Sequence, residues 1–208
     1  MTDARPDRTP LFVMLGVSAA ALIWSGSRPA DRQVWVFEVS LGTVGVLLLT
    51  ATWGRFRFST LVYVLATIHF VILAIGGKYT YADMPLFNWL RDALHLSRNH
   101  YDRVGHFAQG FIPAIIVREI LLRCTPLQRG RMSAVLVVAM CLAMSALYEL
   151  IEWWIVVVFY PDEGPSWLGL QGDVWDAHWD MTMALLGACL SLVLLGRVHD
   201  RSMRRLAR

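Results

Sequence analysis

The 208-residue chain is 56% hydrophobic and 17% charged, with a mean hydropathy of +0.49, whereas an ordinary soluble domain carries roughly 25% charge. That balance excludes a disordered or water-soluble protein and leaves a membrane chain with no room for a separate soluble catalytic domain. Its net charge of +3 is scattered over loops beside apolar runs instead of lining one polar face, which excludes a nucleic-acid partner.

The first apolar run, residues 11–24, follows Arg5 and Arg8 and precedes a turn-rich segment. No small-residue cleavage site closes it, so it reads as a retained anchor and not a signal peptide. Further runs at 34–53, 58–76, 104–122, 133–160 and 176–195 predict an all-α, polytopic transmembrane helix bundle of about six spans, one integral domain over 1–208. The fifth run would be about 42 Å long at 1.5 Å per residue and must tilt. Between the third and fourth, Pro85 followed by Leu86, Trp89, Leu90, Ala93 and Leu94 predicts a short amphipathic helix on the outer membrane surface. Cys124, Cys141 and Cys189 are too scattered for a disulfide framework or a thiolate metal site and read as packing residues.

Six spans place Arg5, Arg8, Arg55, Arg57, Arg123, Arg129, Arg131, Arg197, Arg201, Arg204, Arg205 and Arg208 on one side. The other side holds Arg28, Arg32, Lys78, Arg91, Arg98 and Arg103. The arginine-rich side is expected to be cytoplasmic. Both termini then face the cytoplasm.

Ionisable residues inside spans are costly and mark function or mutual pairing. Here they gather toward the outer side: Glu38, His69, His106, Glu149, Glu152, Asp176 and Asp180, with only Arg118 and Glu119 at the inner end. Asp173, Asp176 and Asp180 follow i, i+3, i+7 and share a stripe if the last helix begins early. Glu149 and Glu152 share a second face, and Asp102, His106 and Gln109 a third. His178 points away from the aspartates by the same phase, and Trp175 and Trp179 fall on an intermediate face.

Three converging acidic faces would repel by about 4 kcal/mol per pair at 4 Å and an effective dielectric near 20. A bound cation, protonation, or pairing with Lys78, Arg98 and Arg103 must neutralise them. Mixed imidazole and carboxylate ligation suits zinc, manganese or iron. The expected metal ligands are Asp102, His106, Glu149, Glu152, Asp173, Asp176 and Asp180, and the expected catalytic set is the same without Asp173. Lys78 is the only lysine of the chain and stands beside Tyr79. With Arg98 and Gln109, these two are the expected substrate-binding residues. No HExxH or CxxC motif supports the site.

The strings NHYDRVGHFAQG (residues 99–110), YELIEWW (148–154) and QGDVWDAHWDMTMALLG (171–187), with KYTYADMPLFNW (78–89), resemble the YjdF family of uncharacterised bacterial inner-membrane proteins over about residues 58–195. The resemblance implies a polytopic inner-membrane protein and supplies no mechanism. Gly172, Asp176 and Asp180, preceded by Glu149 and Glu152, are also similar to the metal-binding helix pair of CDP-alcohol phosphatidyltransferases, but that family's DGxxAR half is missing. Only the geometry carries over: acidic pairs on successive helices that hold a divalent ion.

The expected function is therefore metal-dependent hydrolysis or group transfer on a lipid or lipid-linked headgroup, using a divalent metal ion in an outward-facing site. The alternatives are a proton or metal-ion transporter or binding protein, and a structural membrane protein whose polar cluster only fixes helix packing. A packing network predicts carboxylates saturated by donors; a transporter predicts a polar path continuing inward.

Overall fold

The structure, a computed structural model, describes residues 7–164 and 168–206. Arg5 and Arg208, two of the cations that set the expected orientation, lie outside the described residues. Among those described, the chain forms seven α-helices and no strand: α1 (Thr9–Gly26), α2 (Arg32–Thr52), α3 (Thr60–Lys78), α4 (Pro85–Ala93), α5 (Tyr101–Cys124), α6 (Arg131–Phe159) and α7 (Asp176–Arg204). This is the polytopic helical bundle expected.

Local chemistry sets the helix starts. The Asp31 carboxylate accepts the amides of Gln33 and Val34 at 2.7 and 2.9 Å, capping α2. Pro10 and Pro85 occupy the first turns of α1 and α4, where a missing N–H costs nothing. The Asn99 Oδ1 accepts the Tyr101 amide ahead of α5.

The six long helices alternate in direction. At one end the Ala30 amide donates to the Lys78 carbonyl, joining the α1–α2 turn to the end of α3. At the other, the Ser59 amide donates to Glu119 of α5 and the Leu61 amide to Ser202 of α7. Five of the long helices are long and apolar enough to cross a membrane. The sixth, α5, falls outside that class because Asp102, Arg103, His106, Arg118 and Glu119 lie along it. It packs against α3, α6 and α7, and protein, not lipid, surrounds its polar groups.

Packing of α5 on α7 is closest of all, and two glycines make it so. A Cβ on Gly110 would lie 1.8 Å from the Ala184 carbonyl oxygen, and one on Gly187 would lie 2.2 Å from that of Phe107. Small residues at such crossings let helix backbones approach, as membrane bundles require. Large apolar side chains such as Leu48, Val158 and Val193 point outward, as lipid-facing surfaces do. Leu86, Trp89 and Leu94 in and after α4 are likewise exposed, leaving that amphipathic helix an unpartnered apolar face.

Candidate functional site

The starts of α5 and α7 meet in an ion-pair cluster. Arg103 contacts all four aspartates: Asp173 at 3.1 Å and Asp176 at 2.8 Å through Nη2, and Asp102 at 3.3 Å and Asp180 through Nη1. Arg98 adds Asp173 at 2.9 Å and Asp176 at 3.2 Å. Asp176 is further satisfied by the Leu170 amide at 2.9 Å. Two guanidinium groups thus face four carboxylates, which leaves an excess of negative charge even after pairing.

That excess points inward, at His106. Asp102 gives Oδ2 to Arg103 and turns Oδ1 to the His106 Nε2 at 3.5 Å; Asp180 gives Oδ1 to Arg103 and turns Oδ2 to the same nitrogen at 3.7 Å. On the far side of the ring, His106 Nδ1 lies 2.8 Å from the Gln109 Oε1. With that oxygen accepting, Nδ1 carries a proton, and Nε2 faces the two carboxylate oxygens. Either a second proton on the ring, which makes the imidazole itself the cation, or a bound cation balances these two acids. The three ligand atoms lie within 4.8 Å of one another, and two ligands each about 2.1 Å from a tetrahedral ion stand about 3.4 Å apart.

The remaining carboxylates surround this centre. Glu149 Oε1 approaches His106 Nδ1 at 3.8 Å, on the opposite face of the ring from Asp102 and Asp180, and is buried without a hydrogen bond among the described residues. The structure therefore sets Glu149 behind the imidazole and not beside the other two acids. Glu152, one turn beyond, lies within electrostatic reach of Glu149 and Glu38. Glu38 of α2 accepts from the Tyr148 hydroxyl at 3.0 Å and also from Tyr81. The Tyr81 ring fits between Gly76 and Gly105, where an added Cβ would lie 2.2 and 2.8 Å from ring atoms.

Two loops fix the approach of α5 to α7. Asn99 donates from Nδ2 to the Met84 carbonyl and to Asn88, and its backbone pairs with the Gln171 side chain. The Trp175 amide and the Arg98 and Arg103 charges hold the Asp173 carboxyl below the usual carboxylate range. Burial and the same two cations push the His100 imidazole below its ordinary value.

Asp102, His106, Gln109, Glu149, Asp173, Asp176, Asp180 and Arg98 are thus brought together. Lys78 and Tyr79 are not. The Lys78 ammonium donates to the Trp24 and Ser27 carbonyls at 3.3 and 2.9 Å and lies 5.0 Å over the Trp24 ring, closing the C-terminal end of α1. Tyr79 packs edge-on against Trp24. His178 packs edge-on against Trp175, and both Trp175 and Trp179 are exposed.

Sequence reasoning missed a second polar network, at the other end. Fully buried Glu119 accepts from the Ser59 amide at 2.8 Å, Arg123 at 2.6 Å and His199 Nε2 at 2.9 Å. Arg118 donates to His199 Nδ1 at 2.9 Å and to Asp200 at 2.8 Å. His199 reads as tail in the sequence because apolarity fails after Leu195, whereas α7 runs on to Arg204. An apolar layer of Ala114, Val117, Val137, Cys141 and Ala188 lies between the two polar ends.

Residues 10–201 match the family model described as "Predicted membrane protein (DUF2238)". The chain is 44% identical over 202 residues to the inner membrane protein YjdF of Escherichia coli (strain K12), covering 95% of this chain and 96% of that protein. No solved structure matches.

Proposed function

The chain belongs to the DUF2238 family of predicted membrane proteins, and on that premise we propose that it holds a divalent cation between Asp102, His106 and Asp180 and uses it in hydrolysis or group transfer on a lipid or lipid-linked headgroup. The observation that carries this reading is the His106 Nε2 facing two half-used carboxylates at 3.5 and 3.7 Å. Gln109 and Glu149 sit where a metal-bound imidazole keeps its orienting partners, on the other ring nitrogen.

Asp102, His106 and Asp180 would hold the cation, which would supply polarisation of a phosphate or ester oxygen and a bound water of lowered pKa. The water oxygen would bond to phosphorus or carbonyl carbon as the bond to the leaving alcohol breaks, and the alcohol would take up the proton that the water gives up, while Glu149 holds the imidazole from behind. Asp173, Asp176, Arg98 and Arg103 position the two ligand-bearing helices. The outward face and the cytoplasmic termini belong to the same proposal, resting on the arginine asymmetry of the loops and on the family's inner-membrane relative.

One observation favours a second reading for the outer half of the cluster. Arg103 contacts every aspartate, which is what a packing network would show. Transport gains less support, because among the described residues α5, α6 and α7 meet in an apolar layer between the polar ends and only His69, buried mid-way along α3, offers an imidazole or carboxylate at that depth.

Purified protein incubated with manganese or zinc and vesicles of phosphatidylethanolamine and phosphatidylglycerol tests the reading. Headgroup release by the native chain and its loss in His106→Gln are expected; equal release from both, or none from either, overturns the proposed chemistry.

A further inference from the structure

At the end of the bundle away from the aspartates, the α5–α6 connection and the last turn of α7 line an open groove of about 750 Å³. Arg123, Arg129 and Arg204 line it together with Leu122, Leu127 and Met203. A smaller cavity of about 430 Å³, lined by Arg8, Trp53, Arg55 and Arg57, opens at the same end.

Charge is unbalanced there. Arg123 is drawn onto Glu119 and Arg129 shares Asp200 with Arg118. Arg204 is exposed and makes no ion pair among the described residues. Four guanidinium groups therefore face two carboxylates, and the surplus sits over an apolar floor. A water-soluble anion has no use for that floor. A lipid has use for both parts: guanidinium groups hold a phosphodiester oxygen pair, and Leu122, Leu127 and Met203 receive the first methylenes. Basic pockets between helix ends at the cytoplasmic surface suit anionic lipid headgroups for this reason.

We propose that this groove binds the headgroup of an anionic phospholipid, with its phosphate on Arg129 and Arg204 and its upper acyl chain on the apolar floor. Arg123 reaches from the groove to Glu119, so the lipid sits beside the buried Glu119–His199 pair that ties α3, α5 and α7 together. Occupancy should therefore stabilise the packing of those helices.

The test is thermal unfolding of the full chain in a neutral detergent with added phosphatidylglycerol, phosphatidylcholine or inorganic phosphate. A ligand at ten times its dissociation constant should raise the midpoint by about 4 °C in a chain of this size. Phosphatidylglycerol is expected to do so for the native chain, to do so by half or less for Arg204→Gln, and to have no effect on Arg129→Gln/Arg204→Gln. Should the double variant not fold, Arg204→Gln decides alone, since its side chain is exposed and unpaired. An undiminished shift in Arg204→Gln, an equal shift with phosphatidylcholine, or an equal shift with inorganic phosphate overturns the proposal.

Discussion

The Asn99 amide donates to Gln171 Oε1 at 2.8 Å while Gln171 Nε2 donates back to the Asn99 carbonyl at 2.9 Å, a reciprocal pair that locks the start of α5 to the loop before α7. Gln171 adopts a left-handed backbone, φ 59°, to make it. The pair closes the loops over the aspartates, so the ion-pair cluster inherits its alignment from two uncharged residues.

Asn99→Ala removes the Nδ2 bonds to Met84 and Asn88 and the Oδ1 bond to Tyr101 from a fully buried site. Leaving those partners unsatisfied should cost about 2–3 kcal/mol. A thermal melt in detergent checks it; an unchanged midpoint would show that water replaces the side chain.

Arg103→Gln should cost about 3–5 kcal/mol, because it strips a cation from four carboxylates in a mostly buried cluster. Arg103→Lys should recover only part of this, since an ammonium cannot span the same acids as a planar fork. Equal midpoints for the two variants would reduce the contribution of Arg103 to bare charge.

Much of this arrangement is legible in the sequence, and for a physical reason. Apolar runs long enough to cross a bilayer specify helices almost unaided, and i, i+3, i+4 spacing puts Asp102 and His106 on one face and Asp176 and Asp180 on another. Asp173 does not continue that helix, because its backbone is extended before α7 begins; Arg98 and Arg103 draw it into the cluster instead. Spacing is silent on such cross-chain choices. It also leaves open whether Lys78 faces the acids or the free carbonyls of α1, and it cannot pair Glu119 with His199, eighty residues apart.

Helix contact through glycine gives a steric prediction. Gly110→Ala and Gly187→Ala each drive a methyl group into backbone of the facing helix, and should cost about 2–3 kcal/mol or more. Gly45→Ala, where nothing lies within 4 Å, should be neutral or stabilise α2 by about 0.5–1 kcal/mol. Comparable losses in all three would show that close approach is not what the α5–α7 glycines provide.

Acid should weaken the loop end of the cluster. His100 sits below its ordinary 6.5 and Asp173 below its ordinary 3.8. A depressed folded value means stability that is complete above the unfolded value and lost as pH falls. The His100 contribution should therefore disappear as pH falls below 6.5, and that of Asp173 below 3.8. Subtracting the melting profile of His100→Asn from that of the native chain isolates the first; a difference that grows on acidification contradicts the assignment.

The proposed function stands on Asp102, His106 and Asp180 holding a cation together. Metal analysis of the purified chain after loading with zinc or manganese and desalting, beside His106→Gln and Asp102→Asn/Asp180→Asn, tests it most directly. One ion per native chain is expected, with a loss of at least tenfold in affinity for each variant. Equal metal content in the native chain and in His106→Gln, which leaves every arginine–aspartate pair intact, would contradict it.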